Sequence, residues 1–305
     1  MILKNSPSNE QNVSLPKITI VTPSYNQGHY LEETFKSILD QDYPNLEWFV
    51  VDGGSKDNSL ALIEKYKKHF TWWVSEKDRN HPHALNKGYA KATGDVFCFV
   101  NSDDTLDPGV LHYVGKQFTN PDVHWVVGWA KYFDDNGDQW YYPPKAVNRK
   151  ADWLIANPVP QIASFWRTNV KDKIGDFTEK YLWSFDYEYW LRMYFVGGYR
   201  PMMARRCMGG FRLQPNSKTV SKPENYIPDN KGLQEEYGKH LTPAERALVK
   251  RGLKKKENRR EQDLAWRYLK EGDPVKARKH AIAALSRGPF DVDAWKVAYC
   301  TVRGR

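Results

Sequence analysis

The sequence predicts an α/β fold: a mostly parallel central sheet with helices on both faces, followed by a C-terminal α-helical extension. Three observations predict it. Short β-rich runs alternate with helical periodicity over roughly the first hundred residues, several of those runs end in acids or amides, and beyond Thr242 only helical patterning remains.

The elements follow in order. Lys17 to Thr22 alternates as a strand, is stopped by Pro23, and passes through Asn26, Gln27 and Gly28 into Leu31, Phe35, Ile38 and Leu39 at helical spacing. Trp48 to Val51 reads as a second, buried strand closing on Asp52-Gly53-Gly54-Ser55, and Leu60, Leu62, Ile63 and Tyr66 make the next helix. Trp72 to Val74 is a third strand, Ala84 to Ala92 a helix ended by Gly94, and Val96 to Val100 a fourth strand running into Asn101-Ser102-Asp103-Asp104. Repeated strand–helix units of this kind join parallel strands by right-handed crossovers. A helix near Val110 to Phe118 precedes an aromatic stretch, Trp125 to Tyr142, in which residues 134–137 form a hairpin turn. Pro215 to Asp229 holds three prolines without periodicity and reads as a linker or mobile loop. The last helices break at Gly272-Asp273-Pro274 and Gly288-Pro289, and 272–289 resembles the second half of a tetratricopeptide unit. The expected division is a flexible leader over 1–16, a main domain over 17–218, a linker over 219–241 and a basic helical extension over 242–305.

A chain of 305 residues can bury one large core or two smaller ones. No run of eighteen apolar residues occurs, and the polar first sixteen residues speak against a secretory signal, so the expected place is the cytoplasm. Cys98, Cys207 and Cys300 are few and far apart, which argues against disulfides and zinc. Residues 239–305 hold 18 Lys and Arg against 8 Asp and Glu, a balance of +10, while the rest of the chain balances at −1. Such a block suits an anionic membrane surface, giving peripheral placement on the inner face of the plasma membrane; no nucleic-acid module accompanies it, and no nucleic-acid partner is expected.

Three strand ends fall on one rim of a parallel sheet: Thr22-Pro23-Ser24-Tyr25-Asn26, Asp52-Gly53-Gly54-Ser55 and Asn101-Ser102-Asp103-Asp104. An acid there suits a ribose hydroxyl or a base N–H, an aromatic can stack on a base, and paired carboxylates suit Mg²⁺ or Mn²⁺, although one Asp of the pair could merely cap a helix. The dinucleotide fingerprint G-x-G-x-x-G is missing after the first strand, which argues against a nicotinamide or flavin enzyme.

Taken with Ser75 to Asp78, Ala84 to Gly88, Ala92 to Asp95, Gln161 to Arg167, Phe185 to Arg192 and Phe211-Arg212, these pieces resemble a family 2 glycosyltransferase of the GT-A fold, over about two-thirds of the chain and in the expected order. The resemblance implies an inverting transfer from a nucleotide-diphosphate sugar, a UDP-sugar first among them, with Mn²⁺ or Mg²⁺ as cofactor. It implies nucleotide-sugar binding by Thr22, Pro23, Tyr25, Asn26, Asp52, Gly53, Asp78, Asn86, Lys87, Asn101, Ser102 and Asp103. Metal binding falls to Asp103 and Asp104; the family's first metal-motif acid is Asn101 here. Gln161, Trp183, Arg212 and Lys218 lie on the acceptor or sugar side, Arg212 and Lys218 as a clamp on the diphosphate. Gln214 stands where the family often has a His, as a weaker oxygen ligand or none.

By the same resemblance Asp186 occupies the position of the family's catalytic aspartate, the base, with Glu188 as the alternative. Residues two apart on a helix face different ways, so only one of them can serve. Both could instead complement a helix dipole. His81 and His83 read as polar surface residues. The expected acceptor is a glycan or lipid-linked hydroxyl in cell-surface polysaccharide or glycolipid synthesis. A catalytically weak nucleotide-sugar-binding or scaffold protein of the same fold is the alternative function; a nucleotidyltransferase would need a phosphate loop that residues 23–29 do not make.

Overall fold

The computed structural model describes residues 14–137, 139–144 and 147–303. Most of the expected leader therefore lies outside the described residues. The chain divides into two compact units, one of residues up to 146 with Pro158–Leu233, the other of Val147–Asn157 with Gln234–Arg305.

In the first unit a nine-stranded sheet is built, among the described residues, from β1 (Ile18–Ser24), β2 (Leu46–Asp52), β3 (Trp72–Ser75), β4 (Val96–Phe99), β5 (Thr105–Leu106), β6 (Trp125–Phe133), β7 (Gln139–Tyr142), β8 (Ser164–Arg167) and β9 (Met202–Arg212). Their order is β3-β2-β1-β4-β8-β6-β9-β5, with β7 on β6. The first four run parallel, and all seven residues of β1 are buried, as a strand covered by helices on both faces must be. Register aligns their ends: Ser24 lies opposite Asp52, Asp52 opposite Ser75, and Val21 opposite Phe99. The expected rim is thus formed. Beyond β4 the sheet becomes mixed, β8 being antiparallel to both β4 and β6 while β6 and β9 are parallel. The β6–β7 hairpin forms over the expected turn, where Gly137 takes φ +88°.

Around the sheet lie α1 (Gly28–Leu39), α2 (Ser59–Tyr66), α3 (His81–Lys91) and α4 (Val110–Phe118). Helix α1 buries Leu31, Phe35 and Ile38 against the core. Helix α3 begins three residues before the expected Ala84, because Asn80 caps it by accepting the His83 N–H at 2.9 Å and Pro82 fits its first turn. The short α5 (Asp152–Ile155) belongs to the second unit, and α6 (Val170–Ile174) and α7 (Phe185–Arg192) return to the first.

The expected linker is corrected to helix. It folds as α8 (Lys218–Ser221), a 3₁₀ turn at Pro223–Asn225 and α9 (Tyr226–Tyr237). Pro223 and Pro228 each sit in a first helical turn, where the missing N–H has no intrahelical partner to lose, so these prolines start helices rather than break them.

The second unit continues with α10 (Pro243–Lys270), α11 (Pro274–Arg287) and α12 (Val292–Arg303). A capping box of Thr242 and Glu245 opens α10, and Asp273 caps α11 through the Lys276 N–H. Ala265, Ala281 and Val297 form its small core. Buried Asn258 and Gln262 both donate to Asp291 Oδ2, while Asp291 Oδ1 accepts N–H groups at the start of α12. Among the described residues no helix is long and apolar enough to cross a membrane.

Candidate active site

The rim after β1, β2 and β3 is tied by its own backbone. Asn26, held at φ +52°, accepts the Lys56 N–H through its side chain at 2.8 Å, and its own N–H reaches Ser55 Oγ at 2.8 Å. Asn26 therefore ties the two strand ends of the rim together. Asp52 Oδ2 accepts Gly54 N–H, Ser55 N–H and the Ser75 hydroxyl, whereas Oδ1 takes only the Ser55 hydroxyl and keeps acceptor capacity. Ser75 is a partner that reading the β2 end alone does not reveal. Gly53 lies between Tyr25 and Asp78: a Cβ there would stand 3.2 Å from Asp78 Oδ2 and 3.3 Å from the Tyr25 ring. Tyr25 is 61% exposed, so its ring is available as a stacking surface beside the acid. Lys87 bridges Asp78 at 2.5 Å and Glu76 at 2.8 Å.

Two residues expected on the donor side have their side chains used within the fold. The Thr22 hydroxyl faces the core and accepts the Trp48 indole N–H at 3.0 Å, and the Asn86 amide is used on both sides by the Phe177 main chain, at 2.8 and 3.0 Å. Pro23 and Ser102 are likewise buried.

The acid pair after β4 splits in function. Asp104 is 1% exposed and turns inward, its Oδ1 accepting the Arg212 main-chain N–H and its Oδ2 the Asn101 amide, each at 3.0 Å. Each oxygen thus already accepts one hydrogen bond within the fold, and of the two acids Asp103 is the less enclosed. Asp103 accepts Gln214 Nε2 at 3.1 Å. Burial lifts the Asp103 carboxyl above its ordinary range and Asp104 well above it, the Asp103 charge adding to the latter.

Arg212, expected as a clamp on the diphosphate, has its guanidinium engaged within the fold. It is 6% exposed, and its guanidinium is taken by Glu33, by Asp135 at 2.8 Å and by the Asp103 carbonyl at 3.1 Å, a hub that holds the acid turn in place. Gln161 bonds the Phe99 carbonyl at 2.7 Å and the Asn101 amide at 3.0 Å.

The groups that could hold a divalent cation are Asp103 and Asn101 Oδ1, a buried oxygen with no donor within hydrogen-bond distance, although the neutral His81 side chain interacts with Asn101. Hard oxygen donors of this kind fit Mg²⁺ or Mn²⁺ that draws its other ligands from a phosphate. No cluster of three or more His, Cys, Asp or Glu able to hold a metal occurs among the described residues. Gln214 Oε1 accepts the Asn216 N–H at 2.8 Å, which turns its amide nitrogen toward Asp103.

Asp186 sits in the first turn of α7, and burial raises its pKa to about 6 against the pull of main-chain N–H groups and of Lys218. No cation forms an ion pair with it among the described residues. Glu188, the alternative base, is 4% exposed and locked to Arg192 at 2.7 Å. That pairing was legible as an i, i+4 spacing in the sequence. His81 is not a surface residue: its ring stands edge-on to Phe185 at 4.9 Å, and burial drives its pKa down to about 3, keeping it neutral.

The former linker completes this side. Asp229 of α9 accepts the Trp183 and Ser184 N–H groups at 2.8 and 3.1 Å, capping α7 from 45 residues away, while the Ser184 hydroxyl turns to Asn230. Trp183 is partly exposed, meets Tyr226 edge-on at 5.7 Å and has the Lys218 ammonium 5.4 Å from its ring. Lys218 also bonds the Leu182 carbonyl at 3.4 Å, and burial lowers its pKa. Asp229 and Tyr226 carried no sequence signal, since nothing local ties them to α7.

The family model described as Glycosyl transferase family 2 matches residues 19–189. A glycosyltransferase of Nostoc sp. is 30% identical over 153 residues, 49% of this chain and 47% of the relative, so the chain spans about half the length of that relative. Among solved structures, S. aureus TarS 1–349 in complex with UDP-GlcNAc has TM-score 0.61 at 17% identity, covering 95% of this chain and 92% of that one. The mannosyltransferase PcManGT of Pyrobaculum calidifontis in complex with GDP-Man and Mn²⁺ has TM-score 0.62 at 18% identity, covering 95% and 80%. At such identities the likeness is one of fold.

Proposed function

Because the chain belongs to glycosyl transferase family 2 and has the GT-A fold, we propose that it transfers a sugar, with inversion, from a nucleotide-diphosphate sugar to an acceptor hydroxyl. A UDP-sugar is the first donor to test, and the acceptor class is a cell-surface glycan or lipid-linked saccharide. The observation that carries the reading is the family match over residues 19–189, which ends on the helix whose first turn holds Asp186, a carboxylate whose pKa burial raises to about 6.

In the proposed step the acceptor oxygen bonds to the anomeric carbon while the bond from that carbon to the diphosphate oxygen breaks. The hydroxyl proton passes to the Asp186 carboxylate, and the electron pair leaves with the nucleoside diphosphate. Tyr25 stacks on the base, and Asp52 Oδ1 and Asp78 take base or ribose hydrogen bonds. Trp183 offers the sugar an apolar face. Lys218, whose positive charge already acts on Asp186, favours the carboxylate over the neutral acid. Asp103 and Asn101 would hold Mn²⁺ or Mg²⁺, which when bound supplies positive charge against the leaving diphosphate.

A thermal-shift panel of nucleotide sugars with and without Mn²⁺, followed by turnover of those that bind, tests this. Metal-dependent stabilisation with release of nucleoside diphosphate is expected. Donor binding without turnover on any acceptor would favour the binding-protein reading, and no binding at all would remove both.

A further inference from the structure

Helix α12 has two apolar faces. Ala294, Val297 and Thr301 are buried within the second unit. Val292, Trp295, Tyr299 and Val302 recur at spacings of three and four, which at about 100° per residue confines them to one stripe, and they are 67, 57, 55 and 71% exposed. Phe290, just before the helix, is 96% exposed. The Trp295 indole N–H is satisfied by the Pro289 carbonyl at 2.8 Å, so the exposed part of the ring is its apolar body. Scattered apolar residues on a surface are ordinary; a row of this length along one helix marks an interaction face.

Charge selects the occupant. The stripe lies in the part of the chain that carries a balance of +10; Lys296 on the same helix is paired with Asp293 at 3.4 Å, so the excess comes from the rest of that segment. A second copy would bring the same positive charge to the contact. A surface of anionic headgroups offers both what the cations and what the Trp, Tyr and Phe rings favour, an interface wet on one side and apolar on the other. The helix is about 18 Å long, too short to span a bilayer core of about 30 Å, so it would lie in the interface plane. We propose that Phe290 and the Val292, Trp295, Tyr299, Val302 stripe dock the second unit onto an anionic lipid surface.

Flotation of the full chain with vesicles of phosphatidylcholine, alone or with phosphatidylserine, at low and high salt tests the proposal. Binding is expected on the anionic vesicles and should weaken with salt. The triple variant Phe290→Ser, Tyr299→Ser, Val302→Ser should lower vesicle partition about tenfold or more, as loss of buried apolar area requires, with circular dichroism unchanged. Equal binding to both vesicle types, or anionic binding indifferent to the triple variant, would overturn it. So would a dimer in sedimentation that the triple variant dissolves, since the stripe would then belong to a second copy.

Discussion

Replacing Asp186 with asparagine should slow the enzyme and stabilise the protein at the same time. The carboxyl is raised from its ordinary 3.8 to about 6, chiefly because burial penalises its charge. The folded state therefore prefers the neutral acid: the stability this group contributes is fully present below pH 3.8 and is lost as pH rises through about 6. At about 1.4 kcal/mol for each pH unit of that rise, the ionised group costs the fold up to about 3 kcal/mol at pH 8. Asparagine keeps the shape without the charge. The variant should melt about 5 °C above the parent at pH 8, with the gap closing toward pH 4, while transfer falls by about 10²–10⁴. The parent's rate should rise with pH through about 6 as the base deprotonates. Differential scanning calorimetry at pH 4 and pH 8, with donor turnover on the same samples, reads both. A stability gap that does not change with pH, or a variant keeping more than about a tenth of the rate, would refute the assignment.

Glu188→Ala should cost about 3–5 kcal/mol by leaving Arg192 without its buried partner, yet the folded fraction should turn over within about threefold of the parent; a loss of 10² or more per folded molecule would return the base role to Glu188. Asp103→Asn should abolish the extra thermal shift that Mn²⁺ adds to a bound nucleotide, whereas Asp104→Asn should keep most of it, and equal effects would show that both carboxylates hold the ion. Asp229→Ala removes the acceptor for two N–H groups at the start of α7, costing about 1–2 kcal/mol, and should lower kcat more than it raises the donor KM. Asp229→Asn, whose amide oxygen can still accept, should restore most of kcat, and failure of that rescue would point to the charge instead of the cap.

By itself the sequence determined the strand–helix alternation of 17–100 and the rim where Tyr25, Asp52 and Asn101 emerge, because local periodicity and turn-formers dictate both. It also marked the breaks before α11 and α12, where Gly272 takes φ +76° and Asp273 and Asp291 cap the next helix. Only tertiary structure decided which of two neighbouring acids is fully enclosed. Asp103 and Asp104 are chemically alike, and the turn between them is set by the Arg212 main-chain N–H on Asp104 and by the Arg212 guanidinium on the Asp103 carbonyl, more than a hundred residues along the chain. The same holds for Asp229, which reads as part of a proline-rich linker until the fold brings it to the N–H groups of Trp183 and Ser184. Patterning fixes which residues are apolar and which lie at strand ends, whereas a hydrogen bond between distant segments depends on where the whole sheet carries them.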